Sequence, residues 1–226
     1  MSELTLHYDE VAARLARAAA EDGRSADEVR LLAVSKTFPA EMIRELYEHG
    51  VRLFGESRAP ELAEKAAALP ADIEWHFIGR LQANKVRKVV QLAGVIHSVD
   101  TPELLTRIDR IAGEEGRRPV VLLEANVSGE ESKAGVPVGE LEAFARQAAS
   151  LPNVDFQGFM TMAPFDAEPF RIAAIFELLK LTRDELEGKL NRQLPILSMG
   201  MSGDFEIAAR HGSTLVRVGS LIFGAR

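Results

Sequence analysis

The feature that most constrains this chain is an alternation: eight short apolar runs of four to nine residues, separated by longer stretches with helical periodicity. Runs of this kind, bounded by turn residues, read as strands buried on both faces, and the amphipathic stretches between them read as the covering helices. The predicted strands fall at residues 31–36, 52–56, 74–79, 94–98, 119–127, 156–162, 196–199 and 215–219. Eight parallel strands, each but the last followed by a helix, predict a closed (β/α)8 barrel of the TIM type. The competing doubly wound open sheet lacks its Gly-x-Gly-x-x-Gly turn after the first strand. A segment at 6–21 predicts an extra N-terminal helix, and a helix from Glu168 to about Gly188 is expected to turn Phe170, Ala174, Leu178 and Leu181 to one apolar face. No linker rich in Pro, Gly or Ser divides the chain, so residues 1–226 are expected to form a single α/β domain.

Charge and composition narrow the function. A net charge of −7 argues against a broad nucleic-acid footprint, which needs clustered Lys and Arg. With no cysteine, disulfides, thiolate nucleophiles and cysteine-based metal sites are excluded, and a cytoplasmic location is expected. Acidic residues stand where a secretory leader would be basic, and no apolar run reaches membrane-spanning length. Motifs for zinc hydrolases, P-loop NTPases, α/β-hydrolases and calcium sensors do not occur.

Strand parity then selects residues. With Leu32 and Val34 facing inward, Lys36 shares that face as the last residue of the first strand, at the C-terminal mouth where barrel sites lie. A partly desolvated amine there could form an imine; the competing reading is a snorkelling or ion-paired lysine. On the eighth strand Leu215, Arg217 and Gly219 face inward, so Arg217 needs a buried partner, either a ligand or a carboxylate such as Glu124. Two loops suit an anion: Ser198 to Asp204, with Met201 within it and Ser202 as the expected N-cap of the next helix, and Gly219-Ser220. Asn126 and Met160 end the fifth and sixth strands at the mouth, Met160 more as packing than as contact. His76 points inward from between Trp75 and Phe77, either as a hydrogen-bonded core group or as a base.

These residues sit in motifs that resemble a known family. Residues 33–37 (Ala-Val-Ser-Lys-Thr), 54–58 (Phe-Gly-Glu-Ser-Arg), 75–79 (Trp-His-Phe-Ile-Gly), 81–85 (Leu-Gln-Ala-Asn-Lys), 197–202, 212–219 and 222–224 look like the pyridoxal phosphate homeostasis proteins. These are PLP-binding barrels similar to the N-terminal barrel of alanine racemase, the PLP fold type III. The resemblance runs in order from about Leu31 to the C-terminus. It implies that Lys36 holds pyridoxal 5′-phosphate (PLP) as a Schiff base, that Ser202, Gly219 and Ser220 hold its phosphate, and that Arg217 faces its pyridine nitrogen. An always-protonated guanidinium there weakens PLP as an electron sink. The chain departs from the family at Ser57, where Asn is common, which puts that hydrogen bond to the cofactor in question. It departs also at Ala59-Pro60, Phe159 and Gly203.

The resemblance implies a carrier rather than an enzyme. Alanine racemase takes its second base, a tyrosine, from a further β-domain; this sequence closes at Arg226, and its tyrosines, Tyr8 and Tyr47, lie at no strand end. The expectation is a cytoplasmic monomer that binds PLP and delivers it to PLP-dependent apoenzymes. A small fold-type III PLP enzyme such as a racemase, with His76 or water as second base, is the alternative, and a cofactor-free aldolase-type barrel using Lys36 is the third reading.

Overall fold

Each apolar run forms a strand because a helix follows to cover its outer face. The computed structural model describes residues 2–130 and 134–224. Helix α1 (Glu3–Glu21) leads into β1 (Arg30–Val34), α2 (Ala40–Glu48), β2 (Leu53–Glu56), α3 (Ala59–Ala68), β3 (Glu74–Phe77) and α4 (Val86–Leu92). Next come β4 (Val95–Val99), α5 (Pro102–Glu114), β5 (Val120–Asn126), a two-residue β6 (Val136–Pro137) and α6 (Leu141–Ser150). The chain continues through β7 (Asp155–Met160), α7 (Pro169–Leu190), β8 (Ile196–Ser198), α8 (Phe205–Arg210), β9 (Leu215–Val218) and α9 (Ser220–Phe223).

All strand pairs are parallel, in the order β4-β3-β2-β1-β9-β8-β7-β5, and β4 pairs with β5 to close the ring. The result is the (β/α)8 barrel expected from the strand count, with β6 appended to the end of β5. Local sequence explains the helix ends. Ser2 and Thr5 form a reciprocal capping box on α1, Thr101 caps α5 just before Pro102, and Asn191 adopts a left-handed conformation (φ 47°) that stops α7.

Alternation along the strands sorts the side chains. Ala33, Phe54, Trp75, Phe77, Ile96 and Phe159 pack outward in the layer shared with the helices, while Val95, Leu122 and Met160 form a separate cluster inside the barrel. Helix α7 corrects one expectation: Phe170, Ala174, Leu178 and Leu181 are exposed, and Ile172, Ile175, Phe176, Leu179 and Leu186 make the buried face. The helix carries apolar residues on two sides, so periodicity alone could not choose between them.

Candidate functional site

Lys36 lies on a turn rather than on the strand itself. β1 ends at Val34; the Phe38 amide donates to Ser35 O at 3.1 Å, and Thr37 is forced to φ 73°. A β-branched residue in this left-handed region costs roughly 1–3 kcal/mol, so the neighbours must hold it there. They do so through a buried ion cluster. Lys65 donates all three ammonium protons, to Ser35 O (2.8 Å), Glu56 Oε1 (2.7 Å) and Glu61 Oε1 (2.7 Å). Ser35 Oγ donates to Glu56 Oε1 at 2.6 Å, and the Thr37 amide donates to Glu61 Oε1 at 2.5 Å. Both chain neighbours of Lys36 are therefore clamped. Glu56 is fully buried, with one carboxylate oxygen unpartnered, and burial pushes its pKa up against the pull of Lys65 and Ser35.

The loops after β8 and β9 adjoin this turn. β1 pairs with β9 in register through Ala33 and Val218, and a Cβ on Gly219 would stand 3.1 Å from Val34 O. The Gly219 amide donates to Ser202 Oγ at 3.3 Å, which clasps the loop after β8 to the loop after β9. Ser202 is not the N-cap of α8; Asp204 holds that position and its carboxylate accepts the Met201 amide at 2.6 Å. With α8 six residues long and α9 four, little helix dipole stands behind these loops. What they offer instead is donors. Among the described residues, the amides of Ser202, Gly203, Ser220 and Leu221 have no protein acceptor. Gly200 (φ 96°) makes the tight return possible, since a Cβ there would stand 2.6 Å from Ala208 Cβ.

Beneath the loops the barrel interior is polar. Arg217, 4% exposed, donates from Nη1 to Ser198 O and Oγ, both at 2.6 Å, and from Nη2 to Thr161 O at 3.0 Å. Its Nε–H and second Nη2–H find no acceptor among the described residues. Burial lowers its pKa to about 10. The suspected ion pair with Glu124 does not form among the described residues. Glu124 is itself 5% exposed and makes no side-chain hydrogen bond there, and burial, reinforced by Asp100, lifts its pKa to about 7. Ser198 Oγ also meets His97 Nδ1 at 2.9 Å, His97 Nε2 meets His76 Nδ1 at 2.8 Å, and His76 Nε2 meets Glu74 Oε1 at 3.0 Å. Burial lowers the pKa of both histidines, while the bond to His76 lowers that of Glu74 to about 2.

Lys36, Met201, Ser202, Arg217, Gly219 and Ser220 thus stand on or under three consecutive strand ends, those of β8, β9 and β1. His76 is buried with both ring nitrogens bonded, and reaches the mouth only through His97 and Ser198. Met160, 2% exposed, packs in the interior cluster. Asn126 spends its amide on its own loop, donating to Glu130 O and accepting from Ser128 Oγ and the Gly129 amide. Ser57 lines a cleft of about 530 Å³ with Arg58, Phe77 and Arg80, on the rim over β2 and β3. Sequence reasoning missed Glu56, Lys65, His97 and Thr161. His97 was open to the parity argument that found His76, because both interrupt apolar strands on the inward face.

The fold and this mouth can be set beside known proteins. The family described as "Alanine racemase, N-terminal domain" matches residues 5–226. A solved alanine racemase of Clostridium difficile superimposes with a TM-score of 0.77 over 99% of this chain and 56% of that one, at 14% identity, which speaks to the fold alone. The class is therefore the alanine racemase N-terminal barrel. Within it, the pyridoxal phosphate homeostasis protein of Aquifex aeolicus is 43% identical over 214 residues, 94% of each chain. The structure of Synechococcus elongatus PipY with PLP bound has a TM-score of 0.83 at 39% identity, covering 95% of this chain and 100% of that one. The chain belongs to the pyridoxal phosphate homeostasis protein family.

Proposed function

We propose that this chain binds PLP at the mouth formed by β8, β9 and β1 and serves its homeostasis as a carrier. The observation that carries the reading is a convergence on adjacent strand ends: the clamped turn bearing Lys36, a buried guanidinium with two unspent donors, and clasped loops with four unspent amides. Each suits one part of PLP. The loop amides, with Ser202 and Ser220, would hold the phosphate oxygens. Arg217 would donate to the ring nitrogen and so keep a proton off it. When bound, the group supplies an aldehyde carbon that condenses reversibly with primary amines, and Lys36 Nζ is the amine this chain would offer.

The carrier reading is supported by where the tyrosines lie. Tyr8 and Tyr47 both lie on outer helices, α1 and α2, and Tyr47 donates its hydroxyl to Asp72 there, so no tyrosine of the chain serves as a second base at the mouth. The protein would act as one barrel domain, a cytoplasmic monomer that hands PLP to apoenzymes. Among the described residues no helix is long and apolar enough to cross a membrane. One observation favours a second reading, a small PLP enzyme: Glu124, buried near the mouth with its pKa lifted to about 7, is placed for acid-base work.

Purified protein mixed with PLP should develop a visible band, and borohydride should trap a mass adduct on the peptide containing Lys36. Lys36→Ala should show neither. A colourless protein that takes up no PLP would sink the proposal and favour the cofactor-free aldolase-type reading. Racemisation or decarboxylation of amino acids at ordinary enzymatic rates, on the order of 1–10³ s⁻¹, would replace the carrier by the enzyme.

A further inference from the structure

The two buried histidines take no part in the reading above, and the chain they form has a fixed direction. Glu74, held ionised by His76 and by Arg30 at 2.6 Å, can only accept, so His76 Nε2 carries a proton. From the other end, Arg217 can only donate, so Ser198 Oγ accepts from its Nη1 and gives its own single proton to His97 Nδ1. That puts the proton of the 2.8 Å contact on His97 Nε2 and makes His76 Nδ1 the acceptor. Burial, which lowers the pKa of both histidines, favours the same neutral rings. Every link points from Arg217, under the mouth, toward Glu74, the first residue of β3 at the opposite end of the barrel. No link can turn round while its neighbours stay made.

We propose that this one-way chain makes His97 and Ser198 positioning residues, which hold the Nη1 edge of Arg217 inward so that its unspent N–H groups are presented to the ring nitrogen of the bound ligand. The inference rests on the reading of the mouth as a PLP site. The chain holds rather than conducts: a guanidinium at one end is a far weaker acid than the carboxylic acid that transfer to Glu74 would form at the other, so moving a proton along it runs uphill. Ser198 is the joint, because one hydroxyl both donates to the imidazole and accepts from the guanidinium.

The direction can be tested without any ligand. Side-chain ¹⁵N–¹H spectra of the full chain should show His76 and His97 as neutral Nε2–H tautomers between about pH 7 and 8. A protonated ring in that range, or an Nδ1–H tautomer on either histidine, would overturn the chain. Ser198→Ala should shift the His97 Nδ1 resonance toward its unbonded value. In the PLP-loaded protein it should alter the visible spectrum and speed PLP release about tenfold, the scale of one hydrogen bond to a charged group. Ser198→Thr, which keeps the hydroxyl, should restore both. Loaded Ser198→Ala with the spectrum and release rate of the unaltered protein would refute the positioning role. Failure of the unaltered protein to take up PLP would instead remove the PLP reading, and the tautomers would still decide the chain.

Discussion

Replacing Lys65 by methionine removes a cation that sits behind the Lys36 turn while keeping most of its apolar body. The ammonium makes three bonds of 2.7–2.8 Å, two of them to carboxylates, and its side chain is 6% exposed. Left behind is Glu56, fully buried, one oxygen already unpartnered, with only the Ser35 hydroxyl for company. Stripping one partner from a buried pair costs about 3–5 kcal/mol, because the other charge stays desolvated. The sign of the pH dependence follows from Glu56. Its folded pKa is raised above the ordinary 4.5, so its contribution is fully present below that value and is lost as pH rises through the folded pKa. Without Lys65 the folded pKa climbs further, and the damage should be largest at alkaline pH. Urea unfolding of the cofactor-free protein near pH 8 should show the full loss for Lys65→Met, with a smaller one near pH 5. Adding Glu56→Gln, which removes the stranded charge, should return about 2 kcal/mol at pH 8. A single variant costing under about 1 kcal/mol, or a double variant no better than the single, would refute this account of the clamp.

Glu124→Gln should stabilise the empty protein at pH 8.5 by on the order of 3 kcal/mol and give no gain at pH 4, since a folded pKa of about 7 against an ordinary 4.5 means stability is lost as pH rises through 7. Equal effects at both pH values in a denaturation series would contradict it. Gly200→Ala, which forces a Cβ to 2.6 Å from Ala208 at φ 96°, should cost about 2 kcal/mol or more and weaken PLP retention, measured by urea midpoint and dialysis; an unchanged midpoint would be the wrong result for this argument. Arg217→Lys should loosen PLP more than tenfold and shift its absorption, because one ammonium cannot reproduce the planar fork that reaches Ser198 and Thr161 together; an unchanged spectrum and affinity would count against the assigned contact.

The barrel was legible because apolar runs of strand length and their parity depend only on local order. Trp75 and Phe77 pack outward as alternation requires, with His76 between them turned inward. What was not legible depends on encounters across the fold. Lys65, nine residues from Glu56 and thirty from Ser35, reads as an ordinary helical surface lysine until α3 lays it against the ends of β1 and β2. Ser202 has the residue type of an N-cap, but Asp204 two positions on competes for the role and wins, which releases the Ser202 hydroxyl to join two loops. Lys36 was expected to end a strand; a turn closed by Ser35 and Phe38 stops β1 two residues earlier, and the unusual backbone of Thr37 has no signature in composition. The outer side of α7 was misassigned because its sequence is apolar on both sides.

The line of bonds from Arg217 to Glu74 bears on how the molecule behaves when its mouth is empty. Each of its links joins protein to protein, so departure of a guest leaves every one of them made and strands only the two N–H groups that Arg217 turns to the mouth. A scaffold whose interior bonds need no ligand keeps its shape with the mouth empty, unlike small metal domains that collapse when emptied. Affinity can then be set by a few loop amides, one amine and the open edge of one guanidinium, while the bonds behind that guanidinium keep the chain folded.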